Sequence, residues 1–180
     1  MIARSIFVPI LLLCSMFLVS LSVADDSLNS KFREIPGRPY ALDFELIDQV
    51  GNVWELSESR GHVVVLNFWA TWCAPCLKEL PSMNALWSRL EGQGFKLLAI
   101  NVGEELFEIK RFLETFDPPL DFPILIDPNM RVANAWGVRG VPTTYVVDQR
   151  GRLVVFAEGE VDFTDAEVIA TLRRLIDDHK

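Results

Sequence analysis

Two cysteines three positions apart are the residues of this sequence best suited to chemistry. Cys73 and Cys76 lie in the segment TWCAPCLKELP, residues 71–81, and are separated by Ala74 and Pro75. A cysteine pair at this spacing can bind a metal ion, close a structural disulfide, or exchange electrons with other thiols and disulfides. The choice among these three uses depends on the other possible ligands of the chain and on the compartment that it enters.

The composition disfavours metal binding and a structural disulfide. A closed zinc site needs four ligands, and the other candidates are Cys14, near the N-terminus, and two histidines remote from the pair, His62 and His179. A disulfide between Cys73 and Cys76 closes a short ring, and it removes little chain entropy because that gain grows with loop length. We therefore predict that no metal is bound and interpret the pair as redox-active.

The N-terminal residues predict export from the cytoplasm. A single positive charge precedes a nearly continuous apolar segment over residues 6–19, and Ser22-Val23-Ala24 provides the small residues that signal peptidase requires. We predict a signal peptide over residues 1–24, whose cleavage removes Cys14 and releases a soluble protein. The alternative is an uncleaved membrane anchor over residues 6–24, a length close to the roughly 20 residues of a membrane-spanning helix.

Length and charge limit the remaining possibilities. Of the 180 residues, about 156 remain after the predicted cleavage, which is enough for one domain with a substantial core. Removing residues 1–24 takes the formal charge from −8 to −9, which argues against nucleic acid or an anionic membrane surface as a partner. We assign the polar residues 25–38 to a flexible leader and residues 39–180 to the domain.

Alternating strands and helices are expected to position the cysteine pair. The β-branched and aromatic segment Val63–Trp69 predicts a strand buried on both faces, and apolar residues at helical spacing follow the cysteines until Gly92. The other elements that we predict are strands at 41–47, 53–56, 96–102 and 123–127, an apolar helical stripe over 106–116, a short helix to 135, a hairpin of 143–148 with 153–157, and a last helix capped by Thr164. This order indicates an α/β fold with a mixed sheet.

The predicted elements place Cys73 at the N-terminus of a helix. Unpaired backbone N–H groups and the helix dipole stabilise an anion there, and this lowers the pKa of the thiol from its free value of about 8.5. Cys76 lies one turn further along the same face, within reach of Cys73 for a disulfide. The two thiols are therefore expected to differ, with Cys73 as the nucleophile and Cys76 as the thiol that resolves the mixed disulfide.

Two segments, VLNFWATWCAPCLKELP at residues 65–81 and GVRGVPTTYVVD at residues 137–148, resemble the exported thioredoxin-like proteins of the TlpA/ResA type. The similarity extends from about Pro39 to the C-terminus. It implies a thioredoxin fold, a mixed central sheet flanked by helices, with an N-terminal β-hairpin extension and an inserted helix at Glu104–Phe116. It also implies thiol–disulfide exchange outside the cytoplasm, usually in the reductive direction.

The resemblance adds candidate residues for binding a client protein. Pro142 matches the cis-proline of the family, which faces the cysteine pair. A cis bond there is expected to turn the backbone of Val141 outward, so that a client peptide could pair with it as an added strand. Trp72, which precedes Cys73, is the third candidate for client contact.

A carboxylate is also expected beside the second cysteine. Asn67 occupies the position where cytoplasmic thioredoxins carry a buried aspartate, and asparagine cannot titrate. Glu79, three residues after Cys76, is placed on an apolar edge of the helix, where partial desolvation raises a carboxyl pKa toward values useful for acid–base catalysis. Glu79 also matches an acidic residue that TlpA/ResA-like proteins keep beside the active site. The alternative is an ordinary surface glutamate.

Together these features predict an enzyme that reduces disulfides in client proteins, for example during cytochrome c maturation or metal-site assembly. A membrane thiol-transfer protein is the expected electron donor, and the sequence contains no flavin, nicotinamide or haem motif that would indicate a bound cofactor. A disulfide oxidase and a non-catalytic thioredoxin-fold binding module are alternatives. A peroxiredoxin is a third, but its P-x-x-x-T-x-x-C pattern is not met, because Thr71 lies two residues before Cys73.

Overall fold

The structure, a computed structural model, describes residues 32–178. The predicted signal peptide, residues 1–24, and most of the predicted leader lie outside this range. The strands are β1 (Arg33–Glu34), β2 (Glu45–Ile47), β3 (Val53–Glu55), β4 (Val63–Trp69), β5 (Phe95–Val102), β6 (Ile124–Asp127), β7 (Thr143–Val147) and β8 (Leu153–Glu158), and the α-helices are α1 (Ala74–Leu90), α2 (Leu106–Leu113), α3 (Arg131–Ala135) and α4 (Ala166–Asp177).

Six of these strands form the central sheet, in the order β1-β8-β7-β4-β5-β6. Strand β4 lies inside the sheet, parallel to β5 and antiparallel to β7, so the sheet is mixed as the sequence predicts. Strands β2 and β3 form a separate antiparallel pair, which confirms the N-terminal hairpin. The residues before the cysteine pair are therefore held in the middle of the sheet, where backbone hydrogen bonds on both sides fix their position.

The core lies on both faces of the sheet. One cluster packs helices α1 and α4, together with Ile109 of α2, against the first face of the sheet. A second cluster packs the N-terminal hairpin and α3 against the other face. Alternate residues of β4 belong to the two clusters: Val63, Val65 and Trp69 to the first, and Val64, Leu66 and Phe68 to the second. The continuous apolar pattern of β4 therefore reflects burial on both faces of the sheet, as the sequence predicts.

Helix α1 carries the cysteine motif at its N-terminus and an apolar face towards the sheet. Its buried apolar residues beyond the cysteines are Leu80, Met83, Leu86 and Leu90. The helix ends where the N–H of Glu91 donates to the carbonyl of Trp87, and Gly92 follows with a φ of +74°, a conformation that glycine adopts without steric cost. This agrees with the predicted end of the helix.

Three local predictions differ from the structure. Within the predicted leader, Arg33–Glu34 pairs with β8 and Phe32 is buried in the core, so the folded domain begins before Pro39. The strand predicted at 41–47 extends only over Glu45–Ile47, and the inserted helix covers only Leu106–Leu113. Before β2, Phe44 is buried although it lies outside the strand. After α2, the N–H groups of Thr115 and Phe116 donate to carbonyls three residues earlier, so the helical pattern ends in turns rather than in α-helix.

The cap of the last helix is also different. Asp165 rather than Thr164 is the N-cap of α4, and its side chain accepts a hydrogen bond from the N–H of Glu167 at 2.8 Å. The N–H and hydroxyl of Thr164 instead donate to the carboxylate of Asp162. Asp162, Thr164 and Asp165 are all residue types that cap helices, and sequence alone does not rank them.

Within residues 32–178, no helix is both long enough and apolar enough to cross a bilayer.

Candidate active site

The two cysteines form a disulfide at the start of α1, with their Cα atoms 5.3 Å apart. Cys73 is the N-cap residue, and its sulfur accepts a hydrogen bond from the backbone N–H of Cys76 at 3.3 Å. Pro75 occupies the first turn, where a missing N–H costs nothing. The structure thus places the sulfur of Cys73 against the N–H groups that stabilise a thiolate, as the sequence predicts.

The two cysteines differ slightly in exposure. Cys73 is 4% exposed, whereas Cys76 is 0% exposed and lies within the core cluster under α1. Cys73 is therefore the better candidate for first contact with an incoming disulfide. The roles of nucleophile and resolving thiol stay predictions that kinetics must test.

The cis-proline candidate lies at the same edge of the sheet as the cysteine pair. The bond between Val141 and Pro142 is cis, and Thr143, which opens β7, pairs with Phe68 near the end of β4. Val141 is partly buried and packs against the core cluster that contains both cysteines. The topology therefore brings the segment around residue 141 to the end of the strand that leads into the cysteine motif.

Glu79 is buried, with 1% of its surface exposed. Its Oε1 accepts a hydrogen bond from the backbone N–H of Val161 at 2.6 Å, and its Oε2 accepts one from the side-chain amide of Asn67 at 3.1 Å. Glu79 is thus more deeply buried than the partial desolvation predicted for an apolar edge of α1, since the β8–α4 loop containing Val161 covers this part of the helix. The alternative of an ordinary surface glutamate is wrong for the same reason.

The side chain of Asn67 connects Glu79 to the sheet. Besides its bond to Glu79, the amide nitrogen donates to the hydroxyl of Thr144 at 3.0 Å, and both Asn67 and Thr144 are fully buried. Asn67 therefore serves as a fixed donor to the carboxylate, and it lies on the central strand. Thr144 and the N–H of Val161 were not identified from the sequence, because they come from elements remote along the chain.

The remaining predicted contact residue, Trp72, has 71% of its surface exposed. It directly precedes Cys73, so a protein that approaches this sulfur meets a large apolar ring.

The structure also shows a residue that the sequence did not single out for the site. Glu104 is buried and accepts hydrogen bonds from Thr71. The sequence carried one signal for Glu104: it is an acidic residue that directly follows a predicted buried strand and a glycine.

Among residues 32–178, no group of three or more histidines, cysteines or carboxylates is arranged to hold a metal ion. The chemistry that the site can perform resides in its two sulfurs, and Glu79, three residues after Cys76, is the candidate proton acceptor. Such a dithiol can accept or donate two electrons by forming or opening its own disulfide.

Several solved structures share the fold of the domain. A secreted thiol-disulfide isomerase from Corynebacterium glutamicum superimposes with a TM-score of 0.71 at 25% sequence identity, over 83% of this chain and 94% of that one. A thiol:disulfide interchange protein of the thioredoxin family from Chlorobium tepidum gives a TM-score of 0.66 at 25% identity, over 77% and 97% of the two chains. The fold is therefore the thioredoxin fold that the sequence resemblance implies.

Sequence relatives agree with this result. The thiol-disulfide oxidoreductase ResA of Geobacillus thermodenitrificans is 42% identical over 125 residues, 69% of this chain and 71% of that protein. ResA of Bacillus subtilis is 36% identical over 119 residues, 66% of this chain and 65% of the relative. The fold and these relatives define the protein as a thiol–disulfide oxidoreductase of the thioredoxin fold. The chain belongs to the AhpC/TSA family, which matches residues 38–156.

Proposed function

We propose that the protein reduces disulfides in client proteins outside the cytoplasm, through the Cys73–Cys76 pair. The observation that carries this proposal is the position of the pair: Cys73 caps α1 and accepts a hydrogen bond from Cys76 N–H, while Glu79 is buried three residues further along the same helix. A nucleophile stabilised as a thiolate, together with a buried proton acceptor, suits attack on a disulfide followed by resolution.

The first step is attack by the Cys73 thiolate on one sulfur of the client disulfide. The bond between the two client sulfurs breaks, one client thiolate leaves, and a mixed disulfide joins Cys73 to the client. The N-terminus of α1 supports this step because it stabilises the thiolate before the reaction. The exposed ring of Trp72 and the backbone at Val141, beside the cis bond to Pro142, are the proposed contacts of the client.

The second step is attack by Cys76 on the sulfur of Cys73. Cys76 gives its proton to the carboxylate of Glu79, and its thiolate forms the Cys73–Cys76 disulfide while the second client thiolate leaves. The client has then gained two electrons, and the pair is oxidised, as it is in the structure. A donor dithiol must reduce the pair before the next cycle.

The proposal extends to the cellular setting. Residues 1–24 would direct export and be cleaved, with an uncleaved anchor over residues 6–24 as the alternative. Since an oxidising compartment supplies no soluble reductant of the required strength, we propose a membrane thiol-transfer protein as the donor. Client proteins that need free thiols for haem attachment or metal-site assembly, such as an apocytochrome c, fit this chemistry.

Two of the alternatives are weakened by the site. A non-catalytic binding module has no use for a cysteine at a helix N-terminus that is followed on the same helix by a buried carboxylate. A peroxiredoxin reaction is disfavoured because the hydroxyl of Thr71 donates to Glu104 and its spacing from Cys73 does not match the peroxidatic pattern. The disulfide oxidase uses the same residues and differs from the reductase in the reduction potential of the pair.

Reduction of insulin by a dithiol, followed by turbidity, tests the proposed activity. The wild-type protein should accelerate precipitation of the insulin chains, and the Cys73→Ser, Cys76→Ser double variant should match the rate without enzyme. Equal rates for the two proteins would reject client reduction and leave the binding module as the better account.

A further inference from the structure

Glu104 is a buried carboxylate that the reaction described above does not use. Its Oε2 accepts hydrogen bonds from the backbone N–H of Thr71 at 2.7 Å and from the side-chain amide of Asn101 at 2.8 Å. Its Oε1 accepts a hydrogen bond from the hydroxyl of Thr71. Two of these three bonds thus go to a single residue, which lies two positions before Cys73.

Thr71 lies inside the turn that joins β4 to α1. The N–H of Cys73 donates to the carbonyl of Ala70 at 3.2 Å, which closes a four-residue turn with Thr71 and Trp72 in the middle. The two central residues of such a turn have no partners within it, so their orientation depends on outside contacts. For Thr71, Glu104 provides an acceptor for both the backbone N–H and the side-chain hydroxyl.

Glu104 is itself held firmly. It follows β5 after Gly103, one residue before the N-cap of α2, and only 8% of its surface is exposed. Asn101 on β5 is fully buried, pairs with Trp69 in the parallel ladder, and donates to Glu104 from its side chain. The carboxylate therefore joins the start of the inserted segment to the loop that carries the nucleophile.

We propose that Glu104 is a positioning residue for thiol–disulfide exchange. It fixes the turn of residues 70–73 through Thr71, and the turn sets the direction from which the sulfur of Cys73 meets the client disulfide. This inference rests on the exchange reaction proposed above. The physical basis is that nucleophilic attack on a disulfide needs alignment of the sulfurs, and a displacement of about 1 Å can cost a factor of roughly 10² in rate.

Positioning and direct electrostatics predict opposite results for removal of the charge. If the carboxylate acted through its charge, Glu104→Gln would favour the nearby thiolate and lower the pKa of Cys73. If it acts through Thr71, the reactivity of the thiolate itself falls, because an amide cannot accept both donors of Thr71 with the same geometry. A lower pKa by itself reduces the rate constant of the fully ionised thiol only about threefold per pKa unit, so a larger fall indicates positioning.

The test uses Glu104→Gln, Thr71→Val, which removes the hydroxyl at nearly constant shape, and Thr71→Ser, which keeps it. Glu114→Gln, at an exposed position of the same inserted segment, is the matched control. For each reduced protein, stopped-flow rates with a peptide disulfide between about pH 6 and pH 10 give the thiolate rate constant and the pKa of Cys73. Thermal unfolding is recorded in parallel.

We expect Glu104→Gln and Thr71→Val each to lower the thiolate rate constant about tenfold. Thr71→Ser and Glu114→Gln should keep the wild-type value, and the Glu104→Gln, Thr71→Val double variant should react no more slowly than the slower single variant. Should Glu104→Gln fail to fold, the comparison of Thr71→Val with Thr71→Ser decides the question, since both keep Glu104.

Two results would overturn the positioning role. In the first, the variants melt at lower temperature but keep the wild-type thiolate rate constant, so that Glu104 only stabilises the fold. In the second, Glu104→Gln lowers the pKa of Cys73, and the thiolate rate constant falls no further than that change accounts for, about threefold per pKa unit. A failure of the proposed function looks different, because the wild-type protein itself would then not react with the peptide disulfide.

Discussion

The side-chain amide of Asn67 donates a hydrogen bond to the buried carboxylate of Glu79 at 3.1 Å. Asn67 lies on the central strand and Glu79 on the first helix, so the bond joins the two elements that carry the cysteine motif. In the reaction proposed above, the acid therefore lies on the helix and the strand contributes a neutral donor to it.

Glu79→Gln should slow the second step of the reaction. The variant keeps the shape of the side chain but cannot accept a proton, so resolution of the mixed disulfide by Cys76 should slow by roughly 10²-fold. Formation of the mixed disulfide should change little, because Cys73 relies on the helix N-terminus. The loss should shrink at high pH, where Cys76 ionises unaided, and stopped-flow kinetics with a peptide disulfide resolves the two steps.

The control for this variant is Glu91→Gln, at the exposed C-terminal end of the same helix. Glu79→Gln also presents an amide to the N–H of Val161 and the amide of Asn67, so the rates must be compared well below the melting temperature of both variants. A resolution step equal to that of the wild type at every pH would show that Glu79 carries no proton.

The two cysteines should differ in reactivity once the disulfide is reduced. Cys73 caps the helix and retains some exposure, whereas Cys76 is fully buried. Iodoacetamide at limiting concentration should therefore label Cys73 far faster than Cys76, as mass spectrometry of the digested protein can show. In addition, Cys76→Ser should accumulate mixed disulfides with clients. Equal labelling, or trapping by Cys73→Ser alone, would reverse the assigned roles.

Trp72→Ala should weaken binding of a protein client without affecting a small substrate. A large exposed aromatic side chain next to the attacking sulfur is the kind of residue that dominates interfaces, and its removal should raise KM about tenfold. The rate with a small disulfide such as oxidised glutathione should stay within about twofold.

Tyr40→Ala is the matched control for this contact. Tyr40 is also 71% exposed, but it bridges to Arg152 in the β7–β8 turn, at the opposite end of β7 from Pro142. An equal rise in KM for both variants would mean that Trp72 has no specific role in client binding.

The sequence patterns that predict the helix and strand of the active site are local. The uninterrupted apolar segment of β4, the cysteine at a helix start with Pro75 behind it, and the glycine that ends α1 each depend on neighbours in the chain. Propensity and capping act over one or two helical turns. For this reason Cys73 and Cys76 could be placed correctly from the sequence.

The environment of Glu79 could not be predicted in the same way. Its burial depends on the loop at Val161, 82 residues later, and on Asn67, 12 residues earlier. The bond from Thr71 to Glu104 spans 33 residues, and the pairing of Arg33–Glu34 with β8 spans more than a hundred. Such contacts follow from the packing of the whole sheet, which no short window of sequence contains.

Asp48→Asn should destabilise the N-terminal hairpin in a manner that depends on pH. Burial raises the pKa of Asp48, but hydrogen bonds from Trp54, Asn52 and Val50 together outweigh burial and hold it below the ordinary value. Asp48 accepts four such bonds, two of them from Asn52, and each is 2.9–3.0 Å long. The charged form is thus the stabilised one, and the variant should lower the free energy of unfolding at neutral pH by about 2 kcal/mol.

The sign of the pH effect follows from the depressed pKa. The contribution of Asp48 is fully present above its unfolded-state pKa, about 3.9, and is lost as the pH falls through the folded-state value. Urea unfolding should therefore show a difference between wild type and variant that narrows as the pH falls below the unfolded-state pKa of about 3.9. Asp121→Asn, at an exposed position, is the control, and a difference independent of pH would contradict the assignment.

The reduction potential of the Cys73–Cys76 pair tests the central claim most directly. Equilibration of the protein with defined ratios of reduced and oxidised dithiothreitol or glutathione, followed by alkylation, gives this potential from the fraction of oxidised protein. A reductase of clients should lie below about −200 mV, nearer to the thioredoxin value of about −270 mV. A potential close to about −120 mV, typical of a strong dithiol oxidant, would contradict the account and identify the protein as a disulfide oxidase.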